Sequence, residues 1–253
     1  MKKILYLFSI SFLMLQSCSS DDNNSSNSTS VLVKKIIETS PDGVFTTIFT
    51  YNGNKIADAT FSVTGSIAST GSFTYTGDLI TKVDIFDNTN TLVGRSIYNY
   101  NLDNKLASFV VLNYANDSGR RATYTYNSDG TISSSEYEGD LTSQTTLNET
   151  KTIIFNNGEV SSLVENIGSI TETNSFTYDN KNSPFKNVLG SDKLSYAVFG
   201  TLTSEINHNL IKMDTSIGTS NFVSNWQYTY NSNDYPTLKS SVENPNETKQ
   251  FFY

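Results

Sequence analysis

Hydrophobic and polar residues alternate along this chain in short runs, and these runs recur at a nearly constant interval. Each run begins with two aromatic residues at positions i and i+2, which lie on the same face of a β-strand. Asn or Asp, often with Gly, follows and favours a tight turn because these residues tolerate positive φ. An apolar or β-branched residue then starts a loosely alternating run, as in "LITKVDI" (79–85), which predicts a returning strand. Each period is therefore one β-hairpin.

Seven copies of this phrase follow one another along the chain. We expect their second aromatic residues to form a structural ladder, and these are Tyr51, Tyr75, Tyr100, Tyr126, Phe155, Tyr178 and Tyr230. The intervals are 24, 25, 26, 29, 23 and 52 residues, so the last one spans two periods. We expect the segment "EINHNLIKM" (205–213) to be a degenerate eighth copy in that gap. A period of about 25 residues indicates a hairpin repeat protein.

The repeat predicts an all-β fold, namely a long antiparallel meander of about 14–17 strands. The initial run "VLVKKIIE" (31–38) contributes one of these strands. Twisted open sheets rarely exceed about 10 strands without curling, splitting or closing. We therefore expect residues 31–253 to form a single β-repeat domain, in which a curled or spiral sheet turns its aromatic face inward.

The repeated phrase resembles the YD (Rhs-type) repeat, which runs Tyr-x-Tyr-Asp, a Gly turn, and then Leu or Ile. The copy "YTYNSDGTISS" (124–134) has Asn where the YD repeat prefers Asp. The chain is even more similar to bacterial surface lipoproteins that carry this repeated phrase. The resemblance covers about residues 45–240. The resemblance implies a spiral β-shell and, because sugar binding is often attached to such repeats, a role in glycan binding. It supplies no ligand residues.

The start of the chain predicts export and lipidation. Lys2 and Lys3 precede an apolar run over residues 4–15, which is typical of a secretory signal and shorter than the roughly 20 residues of a membrane-spanning helix. The following "LQSC" resembles the lipobox of bacterial lipoproteins. Cys18, the only cysteine, would be the acylated residue. We therefore assign residues 1–17 to a signal peptide and expect a lipid anchor in the membrane.

A polar stretch follows the predicted lipid attachment site. Residues 19–30, "SSDDNNSSNSTS", contain no apolar residue, so we expect residues 18–30 to comprise the lipidated cysteine and a disordered tether. Ser20, Asp21 and Asp22 resemble the short signal that sends some lipoproteins to the outer leaflet of the outer membrane. The predicted location is therefore the outer membrane, with the domain lipid-anchored and facing the cell exterior.

Charge and composition exclude several classes of function. The formal net charge is −8, and loss of Lys2 and Lys3 with the signal peptide makes it about −10. An acidic chain without a basic patch repels phosphate backbones, so we expect no nucleic-acid partner. With one histidine, His208, and one cysteine, the chain offers no His-based triad or zinc site, and we expect no cofactor and no metal.

Paired carboxylates are the remaining candidates for catalysis. Glu136 and Glu138, at i and i+2 of a strand, would lie about 7 Å apart, within the range of inverting glycosidases. They also share strand parity with Ile132, and facing inward would bury charge without a partner. We therefore expect this strand to end or bulge near Ser135, which would turn these acids and Asp140 to solvent.

Three further features have simple structural interpretations. We expect His208 to be a turn or surface residue. "DNTNT" (87–91) alternates oxygen ligands but lacks the Gly and the distal Glu of a calcium loop. Trp226, the only tryptophan, shares strand parity with Tyr228 and is expected to extend the buried aromatic ladder, although an exposed Trp could stack on a sugar ring.

The leading hypothesis from sequence is a surface-tethered lipoprotein that is not an enzyme and has no catalytic residues. We expect it to have a binding or adhesive role, with a glycan or another envelope protein as the ligand. The alternative is a carboxylate-dependent enzyme that acts on extracellular polysaccharide.

Overall fold

The computed structural model describes residues 30–64, 69–195 and 205–253. The strands of this part of the chain are β1 Lys35–Ser40, β2 Gly43–Asn52, β3 Lys55–Val63, β4 Ser69–Thr76, β5 Leu79–Phe86, β6 Leu92–Tyr100, β7 Leu106–Asn113, β8 Ser118–Tyr126, β9 Ile132–Gly139, β10 Gln144–Asn156, β11 Glu159–Ile167, β12 Ile170–Tyr178, β13 Leu210–Ile217, β14 Ser220–Tyr230, β15 Pro236–Ser241 and β16 Thr248–Phe252. One short helix, α1 Ser191–Leu194, lies between β12 and β13. The predicted signal peptide and tether, with Cys18, Ser20, Asp21 and Asp22, lie outside the described residues.

The sixteen strands form one closed antiparallel barrel. Each strand pairs with its neighbours in sequence, and β1 pairs with β16 through partners such as Lys35 with Phe252 and Ile36 with Phe251. The predicted all-β meander of hairpins is confirmed, but the expectation of a curled or spiral sheet is wrong. Closure removes the two unpaired edges that an open or spiral sheet of this length would expose.

The eighth strand pair, which corresponds to the eighth hairpin, is formed by the two ends of the chain rather than by residues 205–213. Phe251 and Tyr253 supply the two aromatic positions, and β1 is the returning strand. Residues 205–213 instead contain the start of β13, in which Leu210 pairs with Tyr178 of β12. A long insertion, residues 179–209, thus separates the two halves of the sixth copy. The 52-residue interval is one period plus this insertion, and the prediction of a degenerate copy there is wrong.

The turns and the ladder have a regular local structure. Gly53 and Gly77 adopt φ values of +59° and +56° in two-residue turns, which favours glycine at both positions. The pairing register shifts at most ladder aromatics, for example between Thr50 and Tyr51 and between Thr74 and Tyr75. Each shift is a bulge, which increases the local twist and is common at barrel rims. These bulges explain why the alternation is loose after most of the turns.

Two apolar clusters lie in the lumen, and part of the exterior is polar. Buried apolar residues from the inward face form two core clusters inside the barrel. The outward positions of two strands consist only of Ser and Thr, namely Thr70, Ser72, Thr74 and Thr76 on β4 and Thr171, Thr173, Ser175 and Thr177 on β12. Exposed apolar side chains such as Ile48 and Phe252 occur elsewhere. The polar faces of β4 and β12 interrupt any apolar band around the barrel.

The described part of the insertion, residues 179–195 and 205–209, covers the end of the barrel where the ladder lies. Leu189 N–H donates to Asn54 O at 3.0 Å, and Lys181 Nζ lies 2.8 Å from Asp234 Oδ1. A Cβ on Gly190, whose φ is +78°, would lie 2.8 Å from Asp78 O, so this close approach to the second turn requires glycine. The insertion therefore contacts turns of several hairpins and acts as a plug. No helix among the described residues has the length and apolar character needed to cross a membrane.

Candidate ligand-binding site in the barrel lumen

A chamber of about 400 Å³ lies inside the barrel, above the plug. Six phenylalanines line it, namely Phe45, Phe49, Phe61, Phe73, Phe185 and Phe251. Five of them are inward residues of β2, β3, β4 and β16, while Phe185 belongs to the plug and meets the ring of Phe49 edge-on at 5.5 Å. The volume and the apolar lining are typical of small-molecule sites.

A row of polar side chains runs along one wall of the chamber, on neighbouring strands. Glu38 on β1 pairs with Lys249 on β16, Lys249 pairs with Lys239 on β15, and Lys239 pairs with Tyr228 on β14. We call Glu38, Lys249 and Lys239 the polar rung. All three line the chamber together with Glu205.

The two lysines of the polar rung have different surroundings. Lys239 Nζ lies 3.2 Å from Glu205 Oε1 and stands 4.6 Å from the ring centre of Trp226. Glu205 is buried and also accepts a hydrogen bond from Leu210 N–H at 3.1 Å, and its Oε1 lies 3.0 Å from Tyr228 OH, whose single proton it shares with Leu210 O at 2.8 Å. Lys249 Nζ lies 3.2 Å from Glu38 Oε1, in a pair more open to solvent. Sequence parity could have placed these lysines inward, but nothing in the sequence marked them.

A second group of charges lies inside the barrel on β8 to β11. Lys151 Nζ lies 2.9 Å from carboxylate oxygens of each of Glu136, Glu149 and Glu165, and its side chain is 1% exposed. Arg120 Nη2 lies 3.6 Å from Glu136 Oε2. We call these five residues the charged cluster. Burial of this many charges is tolerated only because they pair with one another.

The charged cluster corrects the expectation for Glu136. Strand β9 continues through Ser135 to Gly139, and Glu136 faces the lumen with its side chain 2% exposed. Burial, and then the contact with Glu149, raises the pKa of Glu136 to about 7. Glu138 is half-exposed beside Arg120, and only Asp140 lies in an exposed turn, where Thr142 and Ser143 donate to its carboxylate.

The charged cluster does not provide a glycosidase site. Burial alone would raise the pKa of Glu149, but its contacts with Glu136 and Lys151 hold it below its usual value, so two neighbouring carboxyls differ as an acid and a base would. However, Glu136 and Glu149 contact each other and Lys151 Nζ lies 2.9 Å from both, so no room is left for the sugar and the water molecule that an inverting glycosidase places between its carboxyls. None of these residues lines the chamber.

His208 and segment 87–91 make contacts that shape the local backbone. His208 is half-buried in a bend, where Glu159 Oε1 lies 3.1 Å from its Nδ1 and accepts Asn207 N–H at 2.8 Å. In segment 87–91, Asp87 Oδ1 accepts hydrogen bonds from the N–H groups of Thr89 and Thr91 and so shapes a hairpin turn. The described residues contain no group of three His, Cys, Asp or Glu side chains that could hold a metal ion.

Trp226 lies at the mouth of the lumen rather than within the aromatic ladder. It is half-buried and, with Phe45 and both lysines of the polar rung, lines a shallow cavity that adjoins the chamber. The expectation that it would extend a buried ladder is therefore wrong. Its position beside Lys239 makes the only tryptophan a neighbour of the candidate site.

The ladder joins neighbouring hairpins through hydroxyl groups. Tyr100 OH donates to Ile80 O at 2.7 Å and Tyr126 OH donates to Leu106 O at 3.0 Å, and in each case the acceptor starts the returning strand of the preceding hairpin. Tyrosines 51, 178, 228 and 253 donate in the same way, to the carbonyls of residues 33, 160, 210 and 236, and Tyr75 OH accepts from the N–H of residue 56. The seventh hairpin uses Tyr228, whereas Tyr230 OH contacts Asp179.

Solved structures share this fold, and two of them are porin-like proteins from Bacteroides species. A porin-like protein from Bacteroides uniformis aligns over 87% of this chain and 97% of its own, with a TM-score of 0.54 and 15% sequence identity. A porin-like protein from Bacteroides vulgatus aligns over 88% of this chain and 99% of its own, with a TM-score of 0.58 and 11% identity. At these identities the likeness shows the fold alone. No protein-family model matches the chain, and no curated protein is significantly similar to it.

The fold comparison corrects the family resemblance drawn from sequence. The structural neighbours are porin-like proteins, and the chain forms a closed barrel instead of a spiral shell. The resemblance to YD (Rhs-type) repeats is therefore wrong. The two-aromatic phrase and its turn arise from the needs of a hairpin, and hairpins of this kind also build a closed barrel.

Proposed function

We propose that the protein is a lipid-anchored, non-enzymatic binding protein of the outer membrane, and that its barrel stands in water and holds a small, mainly apolar molecule in the Phe-lined chamber. The porin-like neighbours favour a non-enzymatic role at the outer membrane. Ser20, Asp21 and Asp22 support exposure on the exterior side. The lipid on Cys18 would supply the attachment.

The observation that carries this proposal is the polarity of the barrel. A membrane-spanning barrel has an apolar outer band about 25 Å tall and a polar lumen. This barrel departs from that arrangement, because its outer faces on β4 and β12 consist of Ser and Thr and its lumen contains two apolar clusters beside the charged cluster. The Ser and Thr faces favour water, and the apolar sector of the lumen favours an apolar guest over the passage of ions.

The plug also argues against a pore. Phe185 and Val188 of the plug pack against the core residues of the barrel, and Asn187 Nδ2 donates to Tyr235 OH at 2.7 Å. A lumen obstructed at one end and lined with phenylalanine suits storage or capture of a ligand. It does not suit free passage of solutes.

A glycan is the second candidate ligand, and Trp226 is the observation that favours it. The half-buried ring at the mouth could stack on a sugar. The charged groups of the chamber lie together at the polar rung and Glu205, and six phenylalanines line the rest of it, whereas a sugar presents hydroxyls all around its ring that need partners. An apolar ligand therefore fits the chamber better, and an adhesive contact with an envelope protein would have to use the outer surface.

The first test separates a tethered barrel from a membrane-spanning one. Full-length protein carrying Cys18→Ser should lose lipid labelling and move from the outer-membrane fraction to the soluble fraction without detergent, because only the lipid holds it. The wild-type protein is the control. Retention of the variant in membranes after an alkaline wash would show that the barrel itself inserts, and the proposal would then be wrong.

The second test measures binding in the chamber. The released protein should enhance the fluorescence of N-phenyl-1-naphthylamine, an uncharged apolar probe. Gly71→Leu should weaken this binding, because a Cβ there meets Ile85 Cδ1 at 3.1 Å and Phe61 Cε2 at 3.2 Å and pushes these lining side chains into the chamber. Ser72→Leu, on the outer face of the same strand, is the matched control. Equal probe binding by both variants would exclude the chamber as the site.

A further inference from the structure

We propose that the ligand of the chamber is an amphipathic anion, with one acidic head group at the polar rung and an apolar chain among the phenylalanines. This inference rests on the proposed function and adds the chemical class of the ligand. Its chemistry is that of a long-chain carboxylic acid. The observation that suggests it is that two neighbouring lysines, Lys239 and Lys249, line the same chamber as the phenylalanines.

Lys239 and Lys249 are directly opposite one another on β15 and β16, and both face the lumen. Directly opposed like charges destabilise a sheet, since the Cβ atoms of such a pair are only about 5 Å apart. Their side chains are 15% and 25% exposed, so water screens this repulsion incompletely. A single anion placed between the two ammonium groups would relieve the repulsion and accept hydrogen bonds from both.

The carboxylates beside the two lysines leave room for such an anion. Glu205 accepts a hydrogen bond from Leu210 N–H and shares the proton of Tyr228 OH with Leu210 O, so its charge is stabilised in part without Lys239. A lysine ammonium has three protons, and Glu205 receives one of those on Lys239. Glu38, the partner of Lys249, is 42% exposed, and exposed ion pairs contribute little.

The direction of the strands places head and chain in one line. Phe251 is the next inward residue after Lys249 towards the plug, about 7 Å further along β16. Phe49 lies at the same depth on β2, and Phe185 of the plug contacts it. A head group bound at the polar rung would therefore direct its chain past Phe251 and Phe49 onto Phe185. A cationic head group would instead meet both lysines and be repelled.

Trp226 provides a direct readout, because it is the only tryptophan and Lys239 Nζ lies 4.6 Å from its ring centre. Palmitate added to the Cys18→Ser protein should change the Trp226 emission and displace N-phenyl-1-naphthylamine. Palmitate should compete about tenfold to a hundredfold better than methyl palmitate, since the ester cannot form charged hydrogen bonds. Hexadecylamine should compete no better than the ester. Hexadecyl phosphate distinguishes a general anion site from one selective for carboxylates.

Variants assign this preference to the polar rung. Lys239→Met and Lys249→Met should each reduce palmitate affinity about tenfold or more and remove the preference for palmitate over methyl palmitate, while circular dichroism checks that they fold. Lys212→Met is the matched control, because Lys212 pairs with Asp214 on the outer face. If acid and ester compete equally, or if the variants keep the preference for palmitate, the anion inference is wrong while the chamber stands. Absence of probe binding by the wild type would overturn the proposed function itself.

Discussion

The lumen has two sectors of opposite chemistry that are built by the same hairpin repeat. The inward residues from the ladder onward are Tyr51, Phe49, Thr47 and Phe45 on β2, and Phe155, Ile153, Lys151 and Glu149 on β10. The first two positions are aromatic or aliphatic in both strands. The next two are apolar or weakly polar around the chamber but charged in the cluster. The ladder end of the repeat is thus fixed by hairpin assembly, and the inward positions beyond it are free to specialise.

The difference also separates the roles of the two sectors. The chamber leaves about 400 Å³ of space, whereas Lys151 and its three carboxylates contact one another closely. Buried ion pairs seldom add to the free energy of unfolding, because desolvation offsets the attraction between the charges. A fold that separated the partners would be strongly destabilised, because it would leave buried charges unpaired. We expect the charged cluster to fix the pairing of β8 to β11 and so leave ligand binding to the other sector.

The largest effect should come from removing the lysine of the charged cluster. Lys151→Met leaves Glu136, Glu149 and Glu165 close together with only Arg120 as a cation, and should cost about 4 kcal/mol of unfolding free energy at pH 8. The loss should be smaller at pH 5, where carboxyls can take up protons. Urea denaturation at both pH values measures it. Lys212→Met, on the outer face, should cost less than 0.5 kcal/mol, approximately, and similar losses for both variants would refute the pairing role.

Truncation of a ladder tyrosine should have the next largest effect, and it concerns what the two sectors share. Tyr126→Ala removes a half-buried ring and its hydrogen bond to Leu106 O, and should cost about 3 kcal/mol. Asn127→Gly, in the adjoining turn, should cost far less, because glycine is also suited to a turn. Thermal or urea denaturation compares the two. An unchanged stability for Tyr126→Ala would mean that the ladder is not needed to join the hairpins.

The sequence predicts much of the fold because hairpins are local. The aromatic pair, the turn and the returning strand lie within about a dozen residues, so their pattern shows the period directly. Closure depends on β1 and β16, which lie at opposite ends of the chain. The terminal Phe251 and Tyr253 do carry the aromatic spacing, but without a following turn they do not resemble a copy. The insertion at 179–209 resembles a second period in the sequence because its length is close to one.

The candidate sites were harder to predict because they depend on neighbouring strands. Glu136 shares parity with Ile132, and this already indicated an inward position. The cost of an unpaired buried charge argued for a bulge instead. Its partner Lys151 lies on the next strand and shares parity with Phe155, so parity extended across hairpins could have found the pair. The chamber required the plug residue Phe185, whose place against Phe49 no repeat pattern predicts.

A smaller effect is expected from neutralising Glu136, and its sign depends on pH. Burial raises the pKa of Glu136 from its ordinary value of 4.5 to about 7, so the folded protein keeps a proton that the unfolded chain releases. This contribution to stability is present below pH 4.5 and is lost as the pH rises through 7. Glu136→Gln should therefore stabilise the protein by about 2 kcal/mol at pH 8 and change little at pH 4.5.

Urea denaturation across this pH range measures the effect, and Glu138→Gln is the matched control because Glu138 is half-exposed two residues away. A loss of stability at pH 8 for Glu136→Gln would show that its negative charge is needed to hold Lys151. The cluster would then behave as a permanent ion network rather than as a protonated one.

The smallest effect should come from the one ladder position of the seven predicted that lacks a hydroxyl. Phe155 occupies the same position in its hairpin as Tyr126. Its strand β10 pairs with β9, the returning strand of the preceding hairpin, which begins at Ile132, so position 155 faces the start of that strand. Phe155→Tyr would add a donor, and we expect a gain of up to about 1 kcal/mol, the usual net contribution of one hydrogen bond. Tyr126→Phe should lose a similar amount, because it deletes the bond to Leu106 O and keeps the ring. Urea denaturation of the two single variants and the double variant measures both changes. If Phe155→Tyr destabilises the barrel, the ring at that position has been adapted to the charged sector, and the ladder is less uniform around the barrel than its sequence suggests.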